Sequence, residues 1–169
     1  MNKLNLGCGY RKLDGFINVD SDPECSPDKC FDLTSPNWPI EDNSIELVIA
    51  EHILEHLEGT QPYLTFWKEL YRVCKNGATI QIEVPYWKHD NFFHDPTHVR
   101  AVTAIGVAMF GQERNQQDLK NNGSETKLGF MCKVDFEFQG AQYLTNSTNG
   151  VVEACQYITK AIKPCRYKV

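Results

Sequence analysis

The sequence lacks a long hydrophobic run. In its 169 residues, no apolar stretch approaches the roughly 18 residues that a membrane-spanning helix needs. A recognisable leader is also missing, because the first residues, MNKLNLGCG, run directly into a strand-like segment and leave no room for a signal peptide. These absences argue against a membrane protein and predict a cytoplasmic one.

Paired cysteines and an early basic cluster are absent too. The chain has seven cysteines but no C-x-x-C pair, so we expect free thiols in a reducing compartment. The first 60 residues carry only 4 basic side chains against 12 acidic ones. Because general nucleic-acid binding needs a basic face, this balance argues against it.

The residues that are present follow an α/β pattern. Apolar residues make up 41% of the chain and charged residues 23%, which with this length suits a single domain over residues 1–169. The segment 60–75, TQPYLTFWKELYRVCK, has apolar residues at helical spacing, and Gly77 provides a stop for the helix. Strand-like runs lie at about 4–7, 16–20, 29–32, 46–50 and 78–84. Strands that alternate with a helix predict an open, mostly parallel sheet.

The second half of the chain is less regular. The stretch 85–102, PYWKHDNFFHDPTHVRAV, has neither the strand nor the helix period and concentrates aromatic residues and histidines. We interpret it as a long functional loop that forms the acceptor site. Further predictions are a helix at 103–111, a polar surface excursion at 112–128, a strand at 130–138 and a last helix at 150–163.

The segment LNLGCGYRKLDGFINVD, residues 4–20, contains two apolar runs around a glycine turn and ends on an acid. It fits a dinucleotide fingerprint only in part, since Lys12 stands at the third glycine position and Asp20 follows Gly9 by only 11 residues. The crossover is too short for a full helix aimed at a pyrophosphate. A ligand without phosphates suits this turn better, with Asp20 accepting hydrogen bonds from ribose hydroxyls.

Further blocks follow the glycine turn in a fixed order. They are CFDL at 30–33, WPIEDNSIELVIAEHILEHL at 38–57 and FWKELYRVCKNGATIQIEVPY at 66–86. In this order, over residues 4–86, they resemble the class I S-adenosylmethionine-dependent methyltransferases, in particular short phage and bacterial members. The chain departs from that pattern at Ala78, where a second glycine is usual, and in lacking the N-terminal helix. The resemblance implies a Rossmann-like open, mostly parallel twisted sheet with helices on both faces.

The resemblance also implies S-adenosylmethionine as the cofactor and a position for each part of it. The loop from Leu6 to Gly9 would lie against the methionyl portion, Asp20 would bind the ribose, and Asp32 with the Leu33 backbone would bind the adenine. Glu51 and His52, directly after the fourth strand, would border the methyl group. The full set that it assigns to the cofactor is Leu6, Gly7, Cys8, Gly9, Asp20, Ser21, Asp32, Leu33, Glu51 and His52.

The pentapeptide HILEH, residues 52–56, formally matches the zinc-peptidase signature H-x-x-E-H. That signature needs a helix on both sides, whereas IELVIA before it is typical of a buried strand. We therefore expect Leu54 and Leu57 to pack under the sheet, and Glu55 and His56 to form local hydrogen bonds.

The stretch HDNFFHDPTH, residues 89–98, gathers three histidines and two aspartates. Three interpretations stay open: the histidines position the loop or the substrate, one of them is a general base, or they bind a transition metal. As candidate catalytic residues we name His98, His94 and Glu51, and we assign no metal ligands.

The sequence thus predicts a methyltransferase that acts on a small-molecule or glycan-type acceptor by in-line displacement. Two rivals remain, a module that binds S-adenosylmethionine without turnover and a dinucleotide-dependent oxidoreductase. The missing N-terminal helix would leave one face of the sheet uncovered, which is unusual for a parallel sheet. We therefore predict a homodimer, unless the C-terminal segment 150–169 covers that face.

Overall fold

The computed structural model describes residues 2–146, 148 and 150–167 and contains one seven-stranded sheet. The strands are β1 (Asn2–Leu6), β2 (Ile17–Asp20), β3 (Lys29–Cys30), β4 (Ile45–Glu51), β5 (Cys74–Pro85), β6 (Phe136–Thr145) and β7 (Val152–Ala161). Their order across the sheet is β3-β2-β1-β4-β5-β7-β6. Strands β1 to β5 are parallel, whereas β7 is antiparallel to both β5 and β6. The predicted α/β fold with a mostly parallel open sheet is confirmed.

Five helices accompany the sheet in the described part of the chain. They are α1 (Thr60–Val73), α2 (Asp90–His94), α3 (Ala104–Ala108), α4 (Gln112–Lys120) and α5 (Leu128–Cys132). The helix predicted at 60–75 is α1, and it ends at Val73 because the chain enters β5 directly. None of the five is both long and apolar enough to span a bilayer.

The core follows from the register of the strands. Leu4, Val48 and Ile80 are aligned across β1, β4 and β5, and all three are fully buried. The next buried row consists of Leu6, Ala50, Ile82 and Tyr157. Helix α1 belongs to the same core through Trp67, whose ring stacks on Phe110 at 4.2 Å and meets Phe136 edge-on.

Alternate residues of the same strands form the opposite face of the sheet, and they are largely polar. On this face, Glu51 of β4 is aligned with Glu83 of β5 and Gln156 of β7. The neighbouring row of the same face ends on Ile158 of β7, which is 40% exposed. Over β1 and β2, the loop 7–16 takes the place of a crossover helix, as the short spacing predicts. The Asn5 side-chain amide donates to the Arg11 carbonyl and to Asn18 Oδ1, and Asn18 Oδ1 also accepts the Leu13 N–H at 2.8 Å.

Two predictions for the second half are wrong. The segment 150–163 forms strand β7 rather than a helix, because it fills the space between β5 and β6 and pairs with both. The polar excursion 112–128 contains a helix that the sequence did not predict, α4, which polar contacts hold in place, such as the bond from the Gln112 N–H to Asp135 at 2.9 Å. The stretch predicted as a strand at 130–138 is divided between α5 and the start of β6.

Candidate functional site

A cleft of about 320 Å³ opens at the carboxyl ends of β1, β2 and β4. It brings together seven residues that the sequence assigns to the cofactor: Gly7, Gly9, Asp20, Ser21, Asp32, Leu33 and His52. Ile53, His56 and Leu57 complete the lining. In open α/β sheets ligands bind in this position, outside the carboxyl ends of the strands where the strand order reverses.

The two glycines of the turn, Gly7 and Gly9, differ in what a side chain at each position would contact. Gly7 has a φ of +62°, and a Cβ there would lie 1.7 Å from the Cδ1 atom of Ile53, so any side chain would displace the opposite wall of the cleft. Gly9 has a φ of +48°, and its Cβ would meet no heavy atom within 4 Å. The positive φ disfavours a side chain at both positions; at position 7 a Cβ would also require the Ile53 side chain to move, whereas at position 9 glycine keeps the edge of the cleft open.

Leu6 and Cys8 support the turn from behind rather than lining the cleft. Leu6 is fully buried and Cys8 is 5% exposed. The Cys8 N–H donates to the Val19 carbonyl at 2.9 Å, which continues the pairing of β1 with β2 into the turn. Burial raises the pKa of the Cys8 thiol, so it stays neutral.

Asp20 links the glycine turn to the end of β2. One carboxylate oxygen accepts the Gly9 N–H at 2.7 Å, and the other accepts the Asp22 N–H at 3.0 Å. A carboxylate has about four acceptor positions, so further donors can still bind at the cleft side. Asp20 is thus fixed in orientation and retains acceptor capacity.

Asp32, after β3, is oriented by the residues that follow it. It accepts the Thr34 backbone N–H at 2.7 Å and the hydroxyls of Thr34 and Ser35. The hydrogen bond from the Thr34 N–H lowers the pKa of the Asp32 carboxyl below its usual value. The residue therefore stays ionised and able to accept hydrogen bonds at the edge of the cleft.

His52 occupies the turn after β4 with a φ of +55°, a conformation rare for a residue with a side chain. Its Nδ1 atom lies 3.2 Å from Glu55 Oε1, and its Nε2 atom lies 3.7 Å from Glu83 Oε1. The hydrogen bond to Glu55 raises the pKa of His52 above its usual value. Local strain is common at functional sites, and here it brings the imidazole to the rim of the cleft.

Glu51 does not line this cleft. Its side chain pairs with Arg11 and lies on the polar face of the sheet, in a second cleft beside Gln81, Glu83 and Gln156. The side-chain alternation of a strand explains this, because Glu51 follows the inward-facing Ala50. The predicted cofactor residue thus borders a neighbouring cleft, and His52 stands between the two.

The histidines of the loop 85–102 separate in the structure. His89 caps α2 by accepting the Asn91 N–H at 3.1 Å, and His94 is exposed on that short helix. His98 alone reaches the cleft wall, where its ring centroid lies 4.7 Å from that of His56. Of the predicted catalytic residues, His98 therefore lies next to the cleft, Glu51 lies in the adjacent one, and His94 stands apart from both.

Sequence reasoning missed the place of His56 in the lining. The prediction that Leu54 and Leu57 are buried is confirmed, at 0% and 7% exposure. His56, however, is the last residue of a short 3₁₀ turn, Leu54–His56, and lines the cleft. Its side chain bonds to Thr97, 41 residues later in the chain, rather than locally as expected. The feature of the sequence that could have indicated a site role for His56 is the dense cluster of ionisable residues directly after a buried strand.

The hydrogen-bonding and apolar groups that line the cleft can be compared with the chemical groups of the cofactor that the sequence implies. The ends of β2 and β3 supply two carboxylates for hydroxyl and amine donors, and Leu33, Ile53 and Leu57 supply apolar surface. None of the described residues that line the cleft is Lys or Arg. A dinucleotide pyrophosphate would thus meet acidic side chains without a compensating cation, whereas the uncharged ribose and adenine of S-adenosylmethionine fit these groups.

Comparisons with known proteins agree with this assignment. The family profile described as "Methyltransferase domain" matches residues 21–82. No curated protein sequence matches the chain.

Several solved structures share the fold. A methyltransferase structure from Methanosarcina mazei has a TM-score of 0.59 at 16% identity, covering 95% of this chain and 92% of that one. The N-methyltransferase NodS from Bradyrhizobium japonicum WM9, in complex with S-adenosylhomocysteine, has a TM-score of 0.58 at 10% identity, covering 95% and 77%. The [4+2]-cyclase SpnF has a TM-score of 0.59 at 14% identity, covering 95% and 75%. The chain is thus similar to S-adenosylmethionine-dependent methyltransferases in the sequence of residues 21–82 and in its fold.

Proposed function

We propose that the protein transfers a methyl group from S-adenosylmethionine to a small-molecule or glycan-type acceptor. The observation that carries the proposal is the cleft at the strand ends, which combines Asp20 and Asp32 with an open glycine edge and has no Lys or Arg among its described lining residues. This chemistry suits a ligand with many hydrogen-bond donors and no phosphate.

The proposed cofactor contacts follow from the positions of the side chains. Asp20, held by the Gly9 N–H, accepts hydrogen bonds from the ribose hydroxyls, and Ser21 lies beside it. Asp32 accepts a hydrogen bond from the adenine amine, and Leu33 provides an apolar surface for the ring. Gly7 and Gly9 let the backbone approach the methionyl portion, while Leu6 and Cys8 hold that backbone in place.

When bound, S-adenosylmethionine supplies a methyl group on a sulfonium, which is already activated for displacement. The chain therefore needs mainly to hold the acceptor in line and to exclude water. His52 is at the junction of the two clefts, 3.7 Å from Glu83, and is placed to border the reacting atoms. Glu51, which lines the second cleft, is our first candidate for receiving the proton of the acceptor. His98 would do so only with its Nε2 atom free, and His94 on α2 only after a movement of the loop.

The second cleft is the proposed acceptor site, in place of the loop 85–102 that the sequence favoured, because none of its described lining residues belongs to that loop. Glu51, Glu83, Gln81 and Gln156 line it together with Ile49 and Ile158. Carboxylates and amides bind hydroxyl and amine groups, and the two carboxylates repel phosphates, so a sugar or another small polyol suits this lining better than a nucleic acid. The adjacent position of the cleft, across His52, supports its role as the acceptor site.

Two measurements test the proposal. Calorimetric titration of the chain with S-adenosylhomocysteine, NAD and NADP should show binding of the first alone. Incubation with S-adenosylmethionine labelled on the methyl group and a panel of glycans, sugars and small amines should then label at least one acceptor. Binding of NAD or NADP instead of S-adenosylhomocysteine would contradict the assignment of the cleft.

A second candidate function is binding of the cofactor without methyl transfer. The [4+2]-cyclase SpnF shares this fold, and a fold does not by itself fix the reaction. Tight binding of S-adenosylhomocysteine with no label transferred to any class of acceptor would favour this second function.

A further inference from the structure

Three side chains outside the proposed cofactor contacts form a cluster at the wall of the cleft. Glu55, His56 and His98 each place one potential ligand atom within 4.8 Å of the others. Glu55 and His56 belong to the 3₁₀ turn after β4, whereas His98 comes from the loop 85–102, more than 40 residues later in the chain. The cluster is therefore a product of tertiary structure.

Two backbone hydrogen bonds bring these segments together. The Glu55 carbonyl accepts the Val99 N–H at 2.9 Å and the Arg100 N–H at 3.1 Å. The end of the loop is thus fixed to the 3₁₀ turn directly beside His98. Because both bonds are made by main-chain atoms, the arrangement does not depend on the side chains of the cluster.

Both imidazoles are oriented by a hydrogen bond at Nδ1. His98 Nδ1 lies 2.8 Å from the Phe92 carbonyl, which can only accept, so this nitrogen carries the proton and Nε2 keeps its lone pair. His56 Nδ1 lies 2.9 Å from Thr97 Oγ1, and that hydroxyl donates its own hydrogen to Asp95 at 2.6 Å. His56 Nε2 is likewise left as a potential ligand atom. Such bonds at the outer nitrogen are typical of histidines that bind metals.

Glu55 supplies an independent observation. Its side chain is fully buried, and Oε1 accepts a hydrogen bond from His52. Oε2 is also buried, and it has no hydrogen-bond partner among the described residues. A buried carboxylate oxygen without a partner is costly, because desolvation of the charge is not compensated. A cation bound beside it would remove that cost.

We propose that Glu55, His56 and His98 bind a divalent transition-metal ion. Two imidazoles and one carboxylate are a ligand set that suits zinc and related metals and leaves coordination positions open. Bonds of about 2.0–2.2 Å place tetrahedral ligands roughly 3.4 Å apart, so side-chain movements of about 1 Å would close the cluster around an ion. His56 also lines the cleft, so the open positions would face a ligand bound there.

The test is a titration of the full chain with zinc ions, after dialysis against a chelator, in competition with a chromophoric zinc indicator. We expect one ion per chain and at least tenfold weaker binding in Glu55→Gln and in His98→Gln. His94→Gln is the matched control, because it removes a histidine of the same loop outside the cluster, and it should bind zinc as the unaltered chain does. Thermal unfolding of each variant checks that it is folded.

The outcomes are distinct. Zinc held by the free cysteines would bind equally well to all variants, and this result would overturn the proposal. No stoichiometric binding to the unaltered chain would also overturn it. If Glu55→Gln does not fold, His98→Gln decides the matter alone. Since the readout is metal affinity, neither result depends on whether the chain transfers methyl groups.

Discussion

Replacing Asp20 with alanine is expected to weaken the binding of S-adenosylhomocysteine strongly. The proposed role of Asp20 is to accept hydrogen bonds from two ribose hydroxyls, and a hydrogen bond to a charged group contributes about 1.5–3 kcal/mol. Loss of both amounts to about 3–6 kcal/mol. With about 1.4 kcal/mol for each tenfold change, affinity should fall by about 10²–10⁴-fold.

The structure adds a second consequence for the same variant. Asp20 accepts the backbone N–H groups of Gly9 and Asp22, and alanine leaves both without this partner. The Gly9 N–H is half-buried, so we expect the free energy of unfolding to fall by about 1–3 kcal/mol. Asp20→Asn keeps an oxygen of the same shape and should lose less of both quantities.

The assay is calorimetric titration with S-adenosylhomocysteine, combined with urea unfolding of each variant. Asp14→Ala provides the control, because Asp14 is exposed on the adjacent turn and its replacement changes the net charge by the same amount. Its affinity should match that of the unaltered chain. A folded Asp20→Ala variant whose affinity stays within threefold of the unaltered chain would refute the ribose assignment.

The two glycines and the assembly state give three further predictions. Gly9→Val should lose affinity for S-adenosylhomocysteine at least as much as Asp20→Ala, because valine at a φ of +48° is strained and projects from the cleft edge; calorimetry checks this. Gly7→Ala should lower the free energy of unfolding more than Gly9→Ala. A Cβ at position 7 would lie 1.7 Å from the Cδ1 atom of Ile53, whereas a Cβ at position 9 would meet no heavy atom within 4 Å. Equal urea midpoints of the two variants would contradict this expectation. A homodimer remains a prediction, which light scattering tests, and a monomer at high micromolar concentration would refute it. The uncovered face of β4, β5 and β7 is more polar than expected from the sequence.

Local patterns in the sequence were sufficient for the first half of the fold. The apolar runs and the helical spacing of 60–75 place β1 to β5 and α1 within a few residues of their observed bounds. The glycines and acids of that half are at strand ends, and parallel strands bring their carboxyl ends to one edge. For this reason Gly7, Gly9, Asp20 and Asp32 meet in one cleft as expected.

The second half shows where local patterns fail. Apolar residues of the segment 150–163 fit helical spacing, but Cys155, Tyr157, Thr159 and Ala161 also alternate as in a strand. The segment forms a strand because it pairs with the edge of β5 on one side and with β6 on the other. The local sequence of the segment contains no information about either partner. Helix α4 was missed for the opposite reason, because buried polar side chains such as Gln112 and Asn115 replace the apolar stripe that marks a helix.

What the sequence by itself determined is the position of β1 to β5 along the chain, the glycine turn and the carboxylates that follow β2 and β3, because each depends on residues that are neighbours in the chain. Only the tertiary structure decided that Glu51 faces a second cleft, and that His98 joins Glu55 and His56 while His94 does not. Those positions depend on side-chain alternation in a paired strand and on two backbone hydrogen bonds between segments more than 40 residues apart. Contacts of that range are made by the folded backbone, and no local spacing in the sequence encodes them.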